Sequence, residues 1–285
     1  MILDAHVHVW DPARADYPWL GNGTGGLNRA IGLDELTPTL SRLGIGGVVL
    51  VQASDNTEDT DLMLETARRH REVVGVVAWA PLDRPDQLPE RLASLTGSLH
   101  VVGIRNLIHE REPEWLLRPE GDRSLAELAR WEIPLDFVTA GPAALAELPV
   151  LRRRHPDLNV VIDHLGKPPI GGAAEERSQW RRLLAEAAAD PRTHAKLSGL
   201  YSSTGDLGAW TTEQLRPFVD DALELFGAER LMYGGDWPVS DLAGGYDRSW
   251  AAMTELLAPL SAHERDAILG GTAERFYALD TLGDE

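Results

Sequence analysis

The sequence predicts a single, somewhat distorted (β/α)₈ barrel spanning residues 1–285, and three observations point there. The first is length: 285 residues is near the roughly 250 typical of that fold. The second is a series of short β-branched runs along the whole chain, each bounded by Gly, Pro or a charged cluster, as buried parallel strands are. The third is that the segments between them carry apolar residues at helical spacing. Strand and helix alternate, which implies a parallel sheet with right-handed crossovers.

Taken in order, the predicted strands are Ile2 to Val9, Gly47 to Gln52, Val73 to Trp79, Val101 to Asn106, Pro134 to Val138, Asn159 to Asp163, His194 to Gly199 and Leu231 to Gly235. The clearest helix carries Leu215, Phe218, Val219, Ala222, Leu225 and Phe226, which follow the i, i+3, i+4, i+7 pattern of one buried face. A doubly wound open sheet is the alternative fold. It would be expected to announce a nucleotide site, yet no glycine fingerprint follows an early strand. The glycines from Gly21 to Gly26 read instead as part of a long loop, about residues 11–32. That loop carries Tyr17 and Trp19, exceeds the usual βα connection, and is expected to cover the site.

Composition narrows the classes of function. Hydrophobic residues make up 43% and charged ones 25%, ordinary values for a soluble domain. No stretch approaches the ~20 apolar residues of a membrane span. The N-terminus lacks the basic start, apolar stretch and cleavage site of a secretion signal, so a cytoplasmic protein is expected. Cysteine is absent, which leaves His, Asp and Glu to hold any metal. Forty-five acidic against 27 basic residues give a net charge of -18, a field that repels nucleic acid and anionic membranes. Self-association into a homo-oligomer is left open. Lys167 and Lys196 are the sole lysines; they are either chance survivors or positions where a compact, tunable ammonium serves better than guanidinium.

The chemistry gathers at strand ends. In Asp4-Ala5-His6-Val7-His8 the two histidines are separated by one residue, so both imidazoles project from one face of the first strand. Such a pair can chelate one divalent ion, or bind and protonate an oxygen; two partly buried histidines bonded to carbonyls are the plainer alternative. Strand six ends in Asp163-His164-Leu165-Gly166-Lys167-Pro168 and strand eight in Gly235-Asp236-Trp237-Pro238. A closed barrel brings those ends to one mouth, where His164 and Asp236 join the pair.

The pattern resembles the amidohydrolase superfamily, in particular its amidohydrolase-2 branch. That branch holds sugar-acid lactonases, fuconolactonases and rhamnonolactonases among them, and sulfomuconolactone hydrolases. Six motifs in order carry the resemblance: Asp4 to His8, Val51-Gln52-Ala53, Gly103-Ile104-Arg105, Asp163 to Pro168, Lys196 to Leu200, and Gly235 to Pro238. It implies a hydrolase that opens a small carboxylic-ester ring, with His6, His8, His164 and Asp236 as catalytic or metal-holding positions. Strand four, ending in Arg105 and Asn106, offers no lysine for a bridging carbamate, and strand five ends without histidine. The expectation is therefore one divalent ion, Zn²⁺ or Mn²⁺, or metal-independent hydrolysis. A metal-dependent non-oxidative decarboxylase is the alternative within the same superfamily.

Substrate contacts are expected from Arg105 and Lys196, whose cations can meet a carboxylate or hydroxyls unless they form an internal ion pair with Asp163 or Asp136. Gln52 is a further hydroxyl partner, and Trp19, Trp79, Tyr201 and Trp237 offer stacking faces. His70, His100, His109, His155 and His263 are expected to be structural.

Overall fold

The computed structural model describes residues 1–98 and 100–279. Eight strands stand in one parallel sheet in chain order: β1 (Ile2–Val7), β2 (Ile45–Val51), β3 (Val73–Ala78), β4 (Val101–Arg105), β5 (Leu135–Phe137), β6 (Val160–Ile162), β7 (Thr193–Ser198) and β8 (Leu231–Gly234). The ring closes between the last strand and the first. His8 N donates to the Trp237 carbonyl at 2.7 Å and Asp236 N to that of His6 at 2.8 Å.

Helices α1 (Thr37–Leu43), α2 (Thr57–Arg69), α3 (Leu88–Thr96), α4 (Pro119–Arg130), α5 (Leu148–Arg154), α6 (Ala174–Ala188), α7 (Thr212–Phe226) and α8 (Tyr246–Leu257) alternate with the strands, and α9 (Ala262–Asp266) and α10 (Thr272–Phe276) follow. Local chemistry fixes their ends. Asn56 caps α2 by accepting from Asp59 N at 2.8 Å, Thr211 and Gln214 form a reciprocal cap on α7, and Gly44 in the left-handed region ends α1. The face of α7 read from the sequence is the buried one: Leu215, Phe218, Val219, Ala222 and Phe226 all pack inward.

Within the ring, Leu3, Val49, Val51, Val77, Val161 and Met232 form an apolar cluster with Phe276 and Tyr277. The C-terminal segment therefore plugs the end of the barrel where the strands begin, and the opposite end stays available for polar side chains. No helix among the described residues is long and apolar enough to cross a membrane.

Two local departures from regular geometry aim the functional side chains. Pairing between β1 and β2 shifts register between Asp4 and Val7, so Asp4 does not share the face of His6. Its carboxylate instead accepts from Tyr246 Oη of α8 at 2.6 Å and from Gly235 N at 2.8 Å, which braces the seam between β1 and β8 from outside. Strand β6 ends at Ile162, one residue earlier than the sequence pattern suggests, because His164, Leu165, Gly166 and Lys167 all have φ between 52° and 70°. Such a left-handed run is costly for residues with a Cβ.

Candidate active site

A cavity of about 320 Å³ opens at the mouth where the strands end, lined on its polar side by His8, Arg105, His109, His164, Lys167 and Asp236. Trp10 and Trp19 form part of its wall, so the long first loop contributes directly to the chamber. Trp10 Nε1 donates to the Leu27 carbonyl at 3.0 Å, and Trp19 Nε1 to that of Ala53 at 2.7 Å. Backbone pairing of Trp10 with Ile31 pins the far end of the loop.

The four residues that sequence reasoning brought together do converge. The rings of His8 and His164 lie 4.8 Å and 4.7 Å from that of His6. Asp236 Oδ1 lies 3.6 Å from His8 Nε2 and 3.9 Å from His6 Nε2, and its other oxygen accepts from Tyr201 Oη at 2.9 Å. His8 Nδ1 faces the Val51 carbonyl at 2.7 Å. A carbonyl only accepts, so Nδ1 carries the proton and Nε2 is the atom turned to Asp236. His164 Nδ1 meets Ser198 Oγ at 2.9 Å.

Burial sets the charges. It holds the His164 imidazole at about 4 and His6 well below the usual histidine range, so both rings are neutral near pH 7. Burial alone would raise the Asp236 carboxyl, but the positive charges that His164 and His6 take up as pH falls outweigh it and hold the group well below the usual carboxylate range, so it is ionised near pH 7. The result is one buried carboxylate among imidazole nitrogens.

That donor set suits a divalent cation. One ligand atom each from His6, His164 and Asp236 can be chosen so that all lie within 4.8 Å of one another. The 3.6 Å and 3.9 Å separations approach the roughly 3.4 Å between neighbouring ligands of a tetrahedral zinc with bonds near 2.1 Å. One neighbour opposes it: Arg105 Nη1 stands 3.1 Å from His6 Nε2 and already offers that lone pair a positive donor.

Beneath His6 lies a sealed ionic cluster. Lys196 Nζ is 2.5 Å from Asp136 Oδ2, 3.2 Å from Asp163 Oδ1 and 3.2 Å from His6 Nδ1. Arg105 Nη1 is 3.3 Å from Asp163 Oδ2, and Tyr277 Oη donates to Asp136. Desolvation works against the Asp163 charge, yet Lys196, His6 and Arg105 hold the group well below the usual carboxylate range. Two carboxylates thus face two cations, and Asp163 orients the His6 ring from behind at 3.3 Å.

Several residues expected to touch substrate are placed elsewhere. Lys196 has no exposed surface and takes the internal pairing with Asp136 and Asp163. Gln52 points its amide at Asp55, 2.9 Å away. Trp79 packs beyond the chamber with Arg84 over its ring. Tyr201 is spent on Asp236, and Trp237 is buried at the seam. Of the expected contacts, Arg105 and Trp19 line the chamber. Conversely, His109, assigned a structural role from its loop position, lines it, as do Lys167 and Thr139. Lys167 was signalled by the scarcity of lysine; it donates to Ser202 Oγ at 2.7 Å. Nothing in the sequence marked His109 or Thr139.

Comparison with known proteins identifies the family. A family model described as amidohydrolase matches residues 3–279. The chain belongs to the amidohydrolase family. It is 35% identical to an L-fucono-1,5-lactonase of Burkholderia multivorans, over 99% of this chain and 97% of that one. It is 34% identical to the L-fucono-1,5-lactonase of Burkholderia ambifaria, over 98% and 96%. A crystal structure of an amidohydrolase from Burkholderia multivorans with bound zinc superimposes with a TM-score of 0.91 at 34% identity, covering 98% of this chain and 99% of that one.

Proposed function

We propose that this amidohydrolase opens a small lactone, a sugar-acid lactone or a related carboxylated one, by adding water to the ring carbonyl. The observation that carries the reading is the ionised Asp236 carboxylate, buried among three imidazoles at the mouth of the barrel. The full-length similarity to L-fucono-1,5-lactonases supports the ester chemistry.

In this reading Asp236 accepts the proton of the attacking water, and the new O–H oxygen bonds to the carbonyl carbon. The developing oxyanion is met by Arg105. As the ring C–O bond breaks, the leaving alkoxide takes a proton back from Asp236. The product is a hydroxy acid, released as its carboxylate with one proton freed to solvent. Lys167, whose ammonium is bonded to a neutral hydroxyl, holds a substrate hydroxyl or carboxylate. His6, His8, His164 and Asp236 are the residues that would hold a zinc or manganese ion. When bound, such an ion polarises the carbonyl or acidifies water.

The test is acid release across a panel of sugar lactones, followed with a pH indicator. Wild-type protein should open at least one of them catalytically, and Asp236→Asn should lower kcat by a factor of ~10³ or more. Absence of acid release from every lactone, or near-normal turnover in the variant, overturns the assignment.

A further inference from the structure

A second cavity of about 530 Å³ lies beside the catalytic chamber. His109, Val138, Thr139 and Ala140 line both, so the two spaces share a wall made by the chain that leaves β4 and β5. Their characters differ. The outer space is walled by apolar side chains such as Trp115, Leu116 and Val150, and Glu112, Glu114 and Glu147 add carboxylates to its lining.

The shared wall holds one buried polar group that lacks a protein partner. Thr139 is 1% exposed, and its hydroxyl has no hydrogen-bond partner among the described residues. A buried hydroxyl left without a partner is costly. His109, held at about 4 chiefly by burial and then by Arg105 and Lys167, is a neutral ring that can donate or accept. These groups stand where the reacting part of a substrate would join the rest of it.

We propose that the two spaces form one elongated substrate site, and that the preferred substrate is a lactone carrying an uncharged apolar substituent linked through an oxygen. The ring lies in the catalytic chamber, the linking oxygen accepts from Thr139, and the apolar group fills the outer space against Trp115 and Val150. The carboxylates of Glu112, Glu114 and Glu147 outnumber the one guanidinium in the lining, that of Arg111, which is already paired with Asp55, and so disfavour an anionic substituent there. This inference rests on the lactone-opening reading and adds a substrate class to it.

The experiment compares three δ-lactones: one with a hydroxymethyl group, its benzyl ether, and the analogue with the ether oxygen replaced by methylene. It is run together with calorimetric binding of the three ring-opened hydroxy acids. Wild-type protein should favour the benzyl ether over the hydroxymethyl compound by about tenfold or more in kcat/KM and in affinity. Val150→Trp, which fills the outer space, should abolish that preference. Thr139→Val should abolish discrimination between ether and methylene without lowering thermal stability, because no protein hydrogen bond is lost. Preferential binding of the ether without hydrolysis of any lactone would support the elongated site and remove the hydrolase assignment. Hydrolysis of all three at equal kcat/KM, with equal affinities, would overturn the elongated site alone.

Discussion

Gly199 gives the sharpest test of the proposed chemistry, because the motif Lys196 to Leu200 places it against two of the central groups. Its φ is +56°, and a Cβ there would stand 2.5 Å from Asp236 Oδ2 and 2.7 Å from His164 Nδ1. Ordinary contact begins near 3.4 Å, so Gly199→Ala forces Asp236 back by about 0.9 Å and His164 by about 0.7 Å. A displacement of about 1 Å in a catalytic array costs on the order of 10² in rate, equivalent to about 2.7 kcal/mol of transition-state stabilisation. The left-handed backbone adds about 1–2 kcal/mol of destabilisation. Gly44 supplies the control: its φ of 71° and ψ of 22° match the 56° and 17° of Gly199, and a Cβ there would meet nothing within 4 Å, so Gly44→Ala carries the same left-handed backbone strain without the collision. Steady-state kinetics and thermal denaturation of the two variants should show similar losses of stability and a rate defect confined to Gly199→Ala. If kcat/KM of Gly199→Ala stays within threefold of wild type, Asp236 and His164 do not act where they stand.

Other perturbations probe the supporting structure. Lys196→Met leaves Asp136 and Asp163 buried with less compensating charge and should lower stability by about 3–5 kcal/mol; an unchanged urea midpoint would contradict the pairing. Tyr201→Phe removes the hydrogen bond to Asp236 Oδ2 and leaves a buried carboxylate oxygen short of a donor; it should lower stability by about 1–3 kcal/mol in thermal denaturation, and any zinc affinity measured by calorimetry should fall by about 10–100-fold. His194 is held at about 4, mainly by burial, against an ordinary 6.5. The unfolded chain therefore binds the extra proton first, and native stability falls as pH drops from 6.5 to 4. His194→Gln should gain up to about 3 kcal/mol relative to wild type across that window, and parallel pH profiles of the two proteins would refute it.

The sequence disclosed the parts of this molecule governed by short-range regularity. Parallel strands buried on both faces are rich in apolar and often β-branched residues, so all eight were visible, although β5 and β6 are shorter than their runs suggest. His6, His8, His164 and Asp236 were legible because each sits at or just beyond a strand end. A barrel gives those ends a common destination. Side-chain direction beyond the strands was not legible. Gln52 and Trp79 occupy strand ends yet turn away, and Tyr201 follows β7 but is used to hold Asp236. His109 and Thr139 reach the chamber because of how the chain leaves β4 and β5, which no periodicity encodes. Lys167 enters through a run of left-handed residues that includes Leu165, a side chain ill suited to that conformation.

The near-absence of lysine has a practical consequence. Of the two ammonium side chains, Lys196 is sealed inside the ring and Lys167 stands on the chamber wall. An amine-directed reagent thus finds its one accessible lysine inside the reaction vessel itself. Coupling the enzyme to a resin through lysine would block the cavity, whereas the extent of labelling at that single side chain reads out whether the cavity is occupied.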